Sequence, residues 1–209
     1  MVRGGHAPSR PLATFDRGAM GCTGAKIRIH AANPHAPWGA GCEDFHREFM
    51  LSKRLGEGTF GVVYAARSAA CKDDEELAVK VVDMRGKGSD FRRAVELEMS
   101  VLRDLPPSPF ILRFYGSHMA LGLAYLITEQ CDSGLLPALD RMPSLNLSTL
   151  HGVLQDMLSG IAVCHAAGVV HRDIKPDNFL VKQSASSPIG VVVRLCDFGL
   201  ASKVSSPTA

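Results

Sequence analysis

Residues 171–178 read HRDIKPDN, and residues 197–199 read DFG. In the first stretch Asp173 can accept a proton from an incoming hydroxyl, and Asn178 offers a neutral oxygen to a hard cation such as magnesium. Lys175 can balance negative charge on a group in flight. Asp197 lies between the apolar run VVVRLC and Phe198–Gly199, where a lone carboxylate suits oxygen ligation of the same kind of ion. Arg172 stands beside Asp173, so its expected partner is an anion elsewhere. An ordinary polar turn that happens to contain Asp-Asn does not account for so many such residues followed by a second acidic turn.

A third stretch lies upstream. GEGTFGVV places Gly56, Gly58 and Gly61 so that backbone N–H groups can approach phosphate oxygens. The glycine pattern alone is weak, and its context decides. A dinucleotide fold would follow it with a helix, but here the β-branched VVY continues as a strand. A Walker loop would put Lys and Ser or Thr behind the last glycine, where this chain has Val62 and Val63. A hairpin flap over a nucleotide remains. Lys80 sits in the apolar strand LAVKVVDM, where its charge must be paired or face a cleft. Snorkelling at a sheet edge would serve it equally well in isolation. Glu98, beside Met99 and Leu102, can supply a partner; Glu96 is its rival, and about 200° of helix separates the two, so both cannot face the cleft.

The elements that must position these groups follow from pattern. Strands are expected over EFMLSKRLGEG, VVYAAR, LAVKVVDM, ILRFYGSH and AYLITEQ, with polar turns such as CKDDEE between them. DFRRAVELEMSVLRDL, 90–105, has a helical period, with Phe91, Val95, Met99 or Leu97, and Leu102 on its inner face, and Pro106 and Pro107 stop it. After CDSG the chain turns helical. LLPALDRM is a short helix, and 147–168 a longer one expected to bury Leu150, Leu154, Met157, Leu158, Ile161 and Cys164 before Gly168 ends it. FLV and VVVRLC are short strands. The sum is a sheet with one helix, joined by a short linker to a helical part, with a cleft between.

Composition sets the outer limits. The chain has 209 residues, 46% hydrophobic and 21% charged, with net charge +2, which gives no basic face for nucleic acid. No segment is apolar for long enough to span a membrane. The six cysteines form no CxxC pair and are read as reduced thiols. Residues 1–44, rich in Gly, Ala, Pro and His with several arginines, are expected to be a flexible basic tail; scarce acids leave an organelle-targeting peptide open.

Taken together these stretches resemble the eukaryotic protein kinase family, Ser/Thr type, from Glu48 to the end of the chain. The resemblance rests on GEGTFGVV, AVK at 78–80, HRDIKPDN and DFG in that order. It implies an α+β, two-lobed fold: an N-lobe over 45–130 with a five-stranded antiparallel sheet and the αC helix, a hinge over 129–134, and a partial, mainly helical C-lobe over 135–209. It implies that Gly56, Gly58 and Gly61 cover the phosphates of ATP, that Lys80 holds its α- and β-phosphates, and that Glu98 pairs with Lys80. Asp173 would be the base, and Asn178 and Asp197 the magnesium ligands. Lys175 after Asp173 is typical of the Ser/Thr type, and Lys175–Pro176 argues against a small-molecule kinase. Val63, Ala78 and Leu180 would sandwich adenine, Thr128 would be the gatekeeper, and the backbone at Glu129 and Cys131 would meet the base. Leu102, Phe114, His171 and Phe198 would stack into a spine between the lobes. The implied function is ATP-dependent phosphorylation of Ser or Thr on protein substrates, inside the cell in cytoplasm or nucleus, with an unidentified regulatory partner. The alternative is a truncated, non-catalytic nucleotide-binding or interaction module.

Three departures from the family pattern stand out. The loop KQSASSPIG is long and is expected on the outer surface. Asp132 is the one acid at the hinge exit and comes slightly early for a ribose contact. The chain stops soon after DFG, before the activation segment, the APE motif and the large C-lobe helices. The expectation is an incomplete fragment rather than a short isoform, with the apolar faces of helix 147–168 left uncovered.

Overall fold

A computed structural model of the chain describes residues 42–58, 60–69, 76–142 and 146–204. Residues 1–41 of the expected tail, Thr59, most of the CKDDEE turn and the last five residues lie outside the described residues.

Five strands form the first sheet: β1 (Phe49–Gly58), β2 (Gly61–Ser68), β3 (Leu77–Asp83), β4 (Phe114–Ala120) and β5 (Leu123–Glu129). They pair antiparallel in the order β1-β2-β3-β5-β4. Register decides which side chains share a face. Val63 lies opposite Lys80, and Ala78 lies opposite both Ala65 and Thr128. Because side chains alternate along a strand, Val63, Ala78, Lys80 and Thr128 all point to one side. That side meets α2 (Ser89–Asp104), which buries Val95, Glu98, Met99, Val101 and Leu102. Glu96 is exposed, so the rivalry with Glu98 is resolved by helix phase.

The opposite side carries Leu77, Val79, Tyr125 and Ile127 in a separate apolar cluster. Its cover is α1 (Cys42–Glu48), a short helix that crosses the boundary expected between 44 and 45. Phe45 stacks on Tyr125 with ring centroids 4.0 Å apart and is 1% exposed. Burial of a side chain that size stabilises the fold by about 1.5–3 kcal/mol.

The strand expected over ILRFYGSH begins only at Phe114. Ile111 and Leu112 instead bridge across to Leu195, joining the two lobes. Beyond Glu129 come β6 (Ser133–Gly134), α3 (Leu135–Asp140) and α4 (Leu147–Ala166). Asn146 caps α4 by accepting from the Thr149 N–H at 2.9 Å, and Gly168 ends it at φ 68°. Then β7 (Val169–Val170), a 3-10 turn over Pro176–Asn178, β8 (Phe179–Gln183), β9 (Val191–Leu195) and β10 (Ser202–Lys203) complete the described chain. β8 and β9 form a hairpin flanked by β6, and β10 pairs with β7.

The burial of α4 follows expectation at Met157, Ile161 and Cys164 and departs from it at the leucines. Val153, Gly160 and Cys164 are buried, and Met157 and Ile161 pack against the core, whereas Leu150, Leu154 and Leu158 are exposed, Leu158 by 66%. Gly160 is the point of closest approach: a Cβ there would stand 2.8 Å from the Phe110 carbonyl oxygen. The long loop after β8 is mostly at the surface as expected, though its Ile189 tucks against Gly152 of α4.

Candidate active site

Lys80 is the meeting point of three distant stretches. Its Nζ donates to Glu98 Oε1 at 2.8 Å and to Asp197 Oδ1 at 3.2 Å. Burial alone would depress this ammonium, but the charges of Glu98 and Asp197 outweigh it and hold its pKa above the ordinary lysine value. Burial pushes the Glu98 carboxyl up, against the pull of Lys80. The strand reading that left Lys80 free to snorkel is therefore superseded by a paired, cleft-facing lysine.

The catalytic-loop residues are fixed by a chain of hydrogen bonds. Buried His171 accepts from the Asp173 N–H at Nδ1 and donates from Nε2 to the Cys196 carbonyl, 2.9 Å away. The loop before Asp173 is thereby tied to the residue before Asp197. Asn178 Nδ2 donates to both the carbonyl and the carboxylate of Asp173, at 2.7 and 2.8 Å, and its own carbonyl accepts from the Cys196 N–H. With its nitrogen committed, the side-chain oxygen of Asn178 is what remains to offer a cation. Lys175 Nζ meets Asp173 Oδ2 at 2.8 Å, and this contact, with the amide of Asn178, holds the Asp173 carboxyl below its ordinary pKa. Arg172 and Asp197 adopt left-handed backbone at φ 65° and 59°, a conformation that costs a non-glycine residue energy and recurs at functional sites. Among the described residues no carboxylate is hydrogen-bonded to Arg172. It donates to the carbonyls of Leu200 at 2.6 Å and Ala201 at 3.2 Å, so it braces the segment after DFG.

Phe60, Asp173, Lys175, Asp197 and Leu200 line a cleft of about 240 Å³ at this centre. A larger depression of about 520 Å³ lies on the outer side of α4, but its lining carries no carboxylate and no lysine. The charged groups line the smaller one. Phe60, at the tip between β1 and β2, reaches down to Gly199, where a Cβ would come within 3.0 Å of its ring. Cβ atoms added at Gly56 or Gly58 would meet nothing within 4 Å, which leaves the backbone edge open to a ligand. Gly61 differs. A Cβ there would stand 2.3 Å from the Val81 carbonyl oxygen, so its glycine serves the β2–β3 contact.

Val63 and Ala78 share the sheet face that also carries Lys80, and Leu180 lies on β8 opposite Arg194. Thr128 is buried at the back, its Oγ1 donating to the Ala78 carbonyl at 3.4 Å. The Glu129 N–H is taken by the Arg113 carbonyl, so the backbone of Glu129 can offer a base only its carbonyl. The Asp132 carboxylate accepts from the Gln183 N–H at 2.6 Å. Cys131 beside the hinge and Cys196 before Asp197 are free thiols, each pushed up to about 12 by burial. His171 and Phe198 touch edge to face at 4.9 Å, with Leu102 and Phe114 in the same apolar cluster.

Among the described residues no cluster of three or more His, Cys, Asp or Glu could cage a metal by itself. Magnesium takes one or two protein oxygens and fills its remaining positions with phosphate and water. Asp197 and the Asn178 oxygen fit that donor set.

An antiparallel five-stranded lobe, a buried Lys–Glu pair and a loop of Asp, Lys and Asn before a second Asp define the protein kinase class of folds. Residues 49–209 match the family described as "Protein kinase domain", and the chain belongs to that family. Proteins of this family generally use ATP and magnesium. The chain is 32% identical over 71% of its length to the probable serine/threonine-protein kinase zyg-1 of Caenorhabditis elegans, and 30% identical over 76% to serine/threonine-protein kinase sid1 of Schizosaccharomyces pombe. It is also 30% identical over 78% to the membrane-associated tyrosine- and threonine-specific cdc2-inhibitory kinase wee-1.3 of C. elegans. These alignments cover 20%, 32% and 23% of the three relatives, so the chain spans a third of their length or less.

The sequence brought Lys80, Glu98, Asp173, Lys175, Asn178 and Asp197 to one centre, and the structure places them together. What it missed is the side chain of Glu129, whose carboxylate is 4% exposed and ion-paired to Lys182 and Arg194. The available signal was a pair of cations on neighbouring apolar strands, Lys182 and Arg194, in need of an anion.

Proposed function

We propose that this chain carries the nucleotide-binding and catalytic core of an enzyme that transfers the γ-phosphoryl group of ATP to Ser or Thr of a protein. The observation that carries this reading is Lys80, held between Glu98 and Asp197 at 2.8 and 3.2 Å. A lysine fixed at two oxygens presents its third N–H to a phosphate without having to search for it. Gly56 and Gly58 bring backbone N–H groups over the phosphates, and Val63, Ala78 and Leu180 enclose the base, with the Glu129 carbonyl and the Cys131 backbone at its edge. Asn178 and Asp197 would hold magnesium, which neutralises charge on the phosphates when bound. Asp173 orients the acceptor hydroxyl and takes its proton. Lys175, on the same carboxylate, is placed to stabilise charge on the group being transferred. It also supports Ser and Thr as acceptors. Free thiols at Cys131, Cys164 and Cys196 support an intracellular site.

A second reading, a module that binds nucleotide or a protein without turnover, is favoured by one observation: Leu147, Leu150, Leu154 and Leu158 are exposed on α4. Comparison of wild type with Lys80→Met separates the two, using ATP-dependent phosphate incorporation into a generic Ser/Thr substrate. Transfer that falls by 100-fold or more (on the order of the loss of a transition-state contact) supports the enzyme. Equal transfer by both proteins would defeat the assignment, and nucleotide binding with no transfer by wild type would favour the module.

A further inference from the structure

The hinge residue Glu129 carries a buried carboxylate that the phosphoryl-transfer reading does not use. Its Oε1 accepts from the Arg113 N–H at 2.8 Å and lies 3.2 Å from Arg194, and its Oε2 accepts from Lys182 at 3.0 Å. The three partners come from three places: the lead-in to β4, β9 and β8. Arg194 also donates to the Pro109 carbonyl at 2.9 Å. The knot therefore spans both lobes and the linker between them.

Register shows what it acts on. Leu180 lies opposite Arg194 in the β8–β9 hairpin and two residues before Lys182, so all three side chains share one face. The other face, with Phe179, Val181, Val193 and Leu195, is buried against the core. The floor of the base slot and the two cations are thus one rigid surface, and Glu129 ties that surface to the strand whose carbonyl borders the base. Asp132 adds a second tie through the Gln183 N–H, and its own N–H donates to the Val181 carbonyl.

We propose that Arg194 and Lys182 are positioning residues for the nucleotide: through Glu129 they set the gap between Leu180 below and the hinge beside the base. An ion pair on the protein surface would do little, but a carboxylate this buried cannot lose a cation without rearrangement. Neither cation is placed to touch the phosphates, so the effect falls on nucleotide affinity rather than on the chemical step. This inference rests on the nucleotide-binding reading above.

The test is a titration of the purified protein with a fluorescent ATP analogue and magnesium, for wild type, Arg194→Met, Arg194→Lys and Lys182→Met. Arg194→Met is expected to raise Kd about tenfold, within the range that networks of this kind contribute. Arg194→Lys should recover most of the loss. In phosphate-transfer assays the defect should appear in KM for ATP and not in kcat. Melting temperature without nucleotide identifies variants that have merely come apart, and if Arg194→Met fails to fold, the decision passes to Lys182→Met, whose side chain is 37% exposed. A folded variant with unchanged or tighter affinity overturns the proposal. Wild-type protein that binds no nucleotide overturns the proposed function, and this inference with it.

Discussion

At Asp173 the useful property is that the carboxylate stays ionised. The hydrogen bond from Lys175 comes first among the causes, followed by that from Asn178, and both favour the charged form, lowering the pKa. In its proposed role as base Asp173 must be deprotonated, so activity is expected to be retained as pH falls until it passes through that lowered pKa. Lys175→Met removes the stronger hydrogen bond and lets the pKa rise. The acid limb of the pH–kcat profile should therefore move to higher pH, and kcat on the plateau should fall; an acid limb that does not move would show that Lys175 leaves Asp173 untouched. Lys80 carries the opposite sign. Its raised pKa means that the folded protein holds this proton more tightly than the unfolded chain does, so the stabilisation is present below the unfolded lysine pKa and is lost as pH rises through the folded one. Residue types and spacing made these groups legible. The partners that tune them, such as the His171–Cys196 bond, come from loop geometry that a linear pattern does not encode.

For the elements, close approach matters more than side-chain size. Gly61 brings β2 against the Val81 carbonyl, and an added Cβ would overlap that backbone atom at 2.3 Å. Gly61→Ala should destabilise the protein by about 1–3 kcal/mol, read as a lower melting temperature, because backbone rather than a flexible side chain must give way. Gly56→Ala, with nothing nearby, should leave melting almost unchanged. The five strands and α2 were legible because the strands are β-branched, apolar runs set off by turns and α2 keeps a helical period. α4 was legible as a helix and only in part in its facing. It carries two apolar stripes side by side, one through Leu150, Leu154 and Leu158 and the other through Val153, Met157, Gly160 and Cys164. The expected face mixed the two: Met157, Ile161 and Cys164 do meet the core, and Leu150, Leu154 and Leu158 do not. The second faces the core because Gly160 lets the helix reach the Phe110 carbonyl, and a glycine adds nothing to a hydropathy pattern.

At the scale of the whole molecule, three apolar groupings stand out among the described residues: the cluster under α1, the one shared by α2, α4 and the β8–β9 hairpin, and the exposed stripe on α4. The first two hold the cleft. The third contributes nothing to it among the described residues. Leu154→Gln with Leu158→Gln should accordingly leave the melting temperature and nucleotide affinity near wild type, while reducing self-association measured by light scattering. A large drop in melting temperature would mean that this stripe is covered in solution. The two-lobed plan itself was readable, since a run of strands gives way to helices at CDSG. The ties across that junction were not, because Ile111, Glu129 and Arg194 each resemble ordinary strand residues until the lobes are brought together.

One feature of the cleft bears on how it could be targeted. Cys131 follows β5 and Cys196 precedes Asp197, and with thiols pushed up to about 12 by burial both stay uncharged at neutrality. An acrylamide or chloroacetamide arm on an adenine mimic would meet a weak nucleophile at either position. Durable occupancy here has to come from shape and hydrogen bonding rather than from a covalent tether.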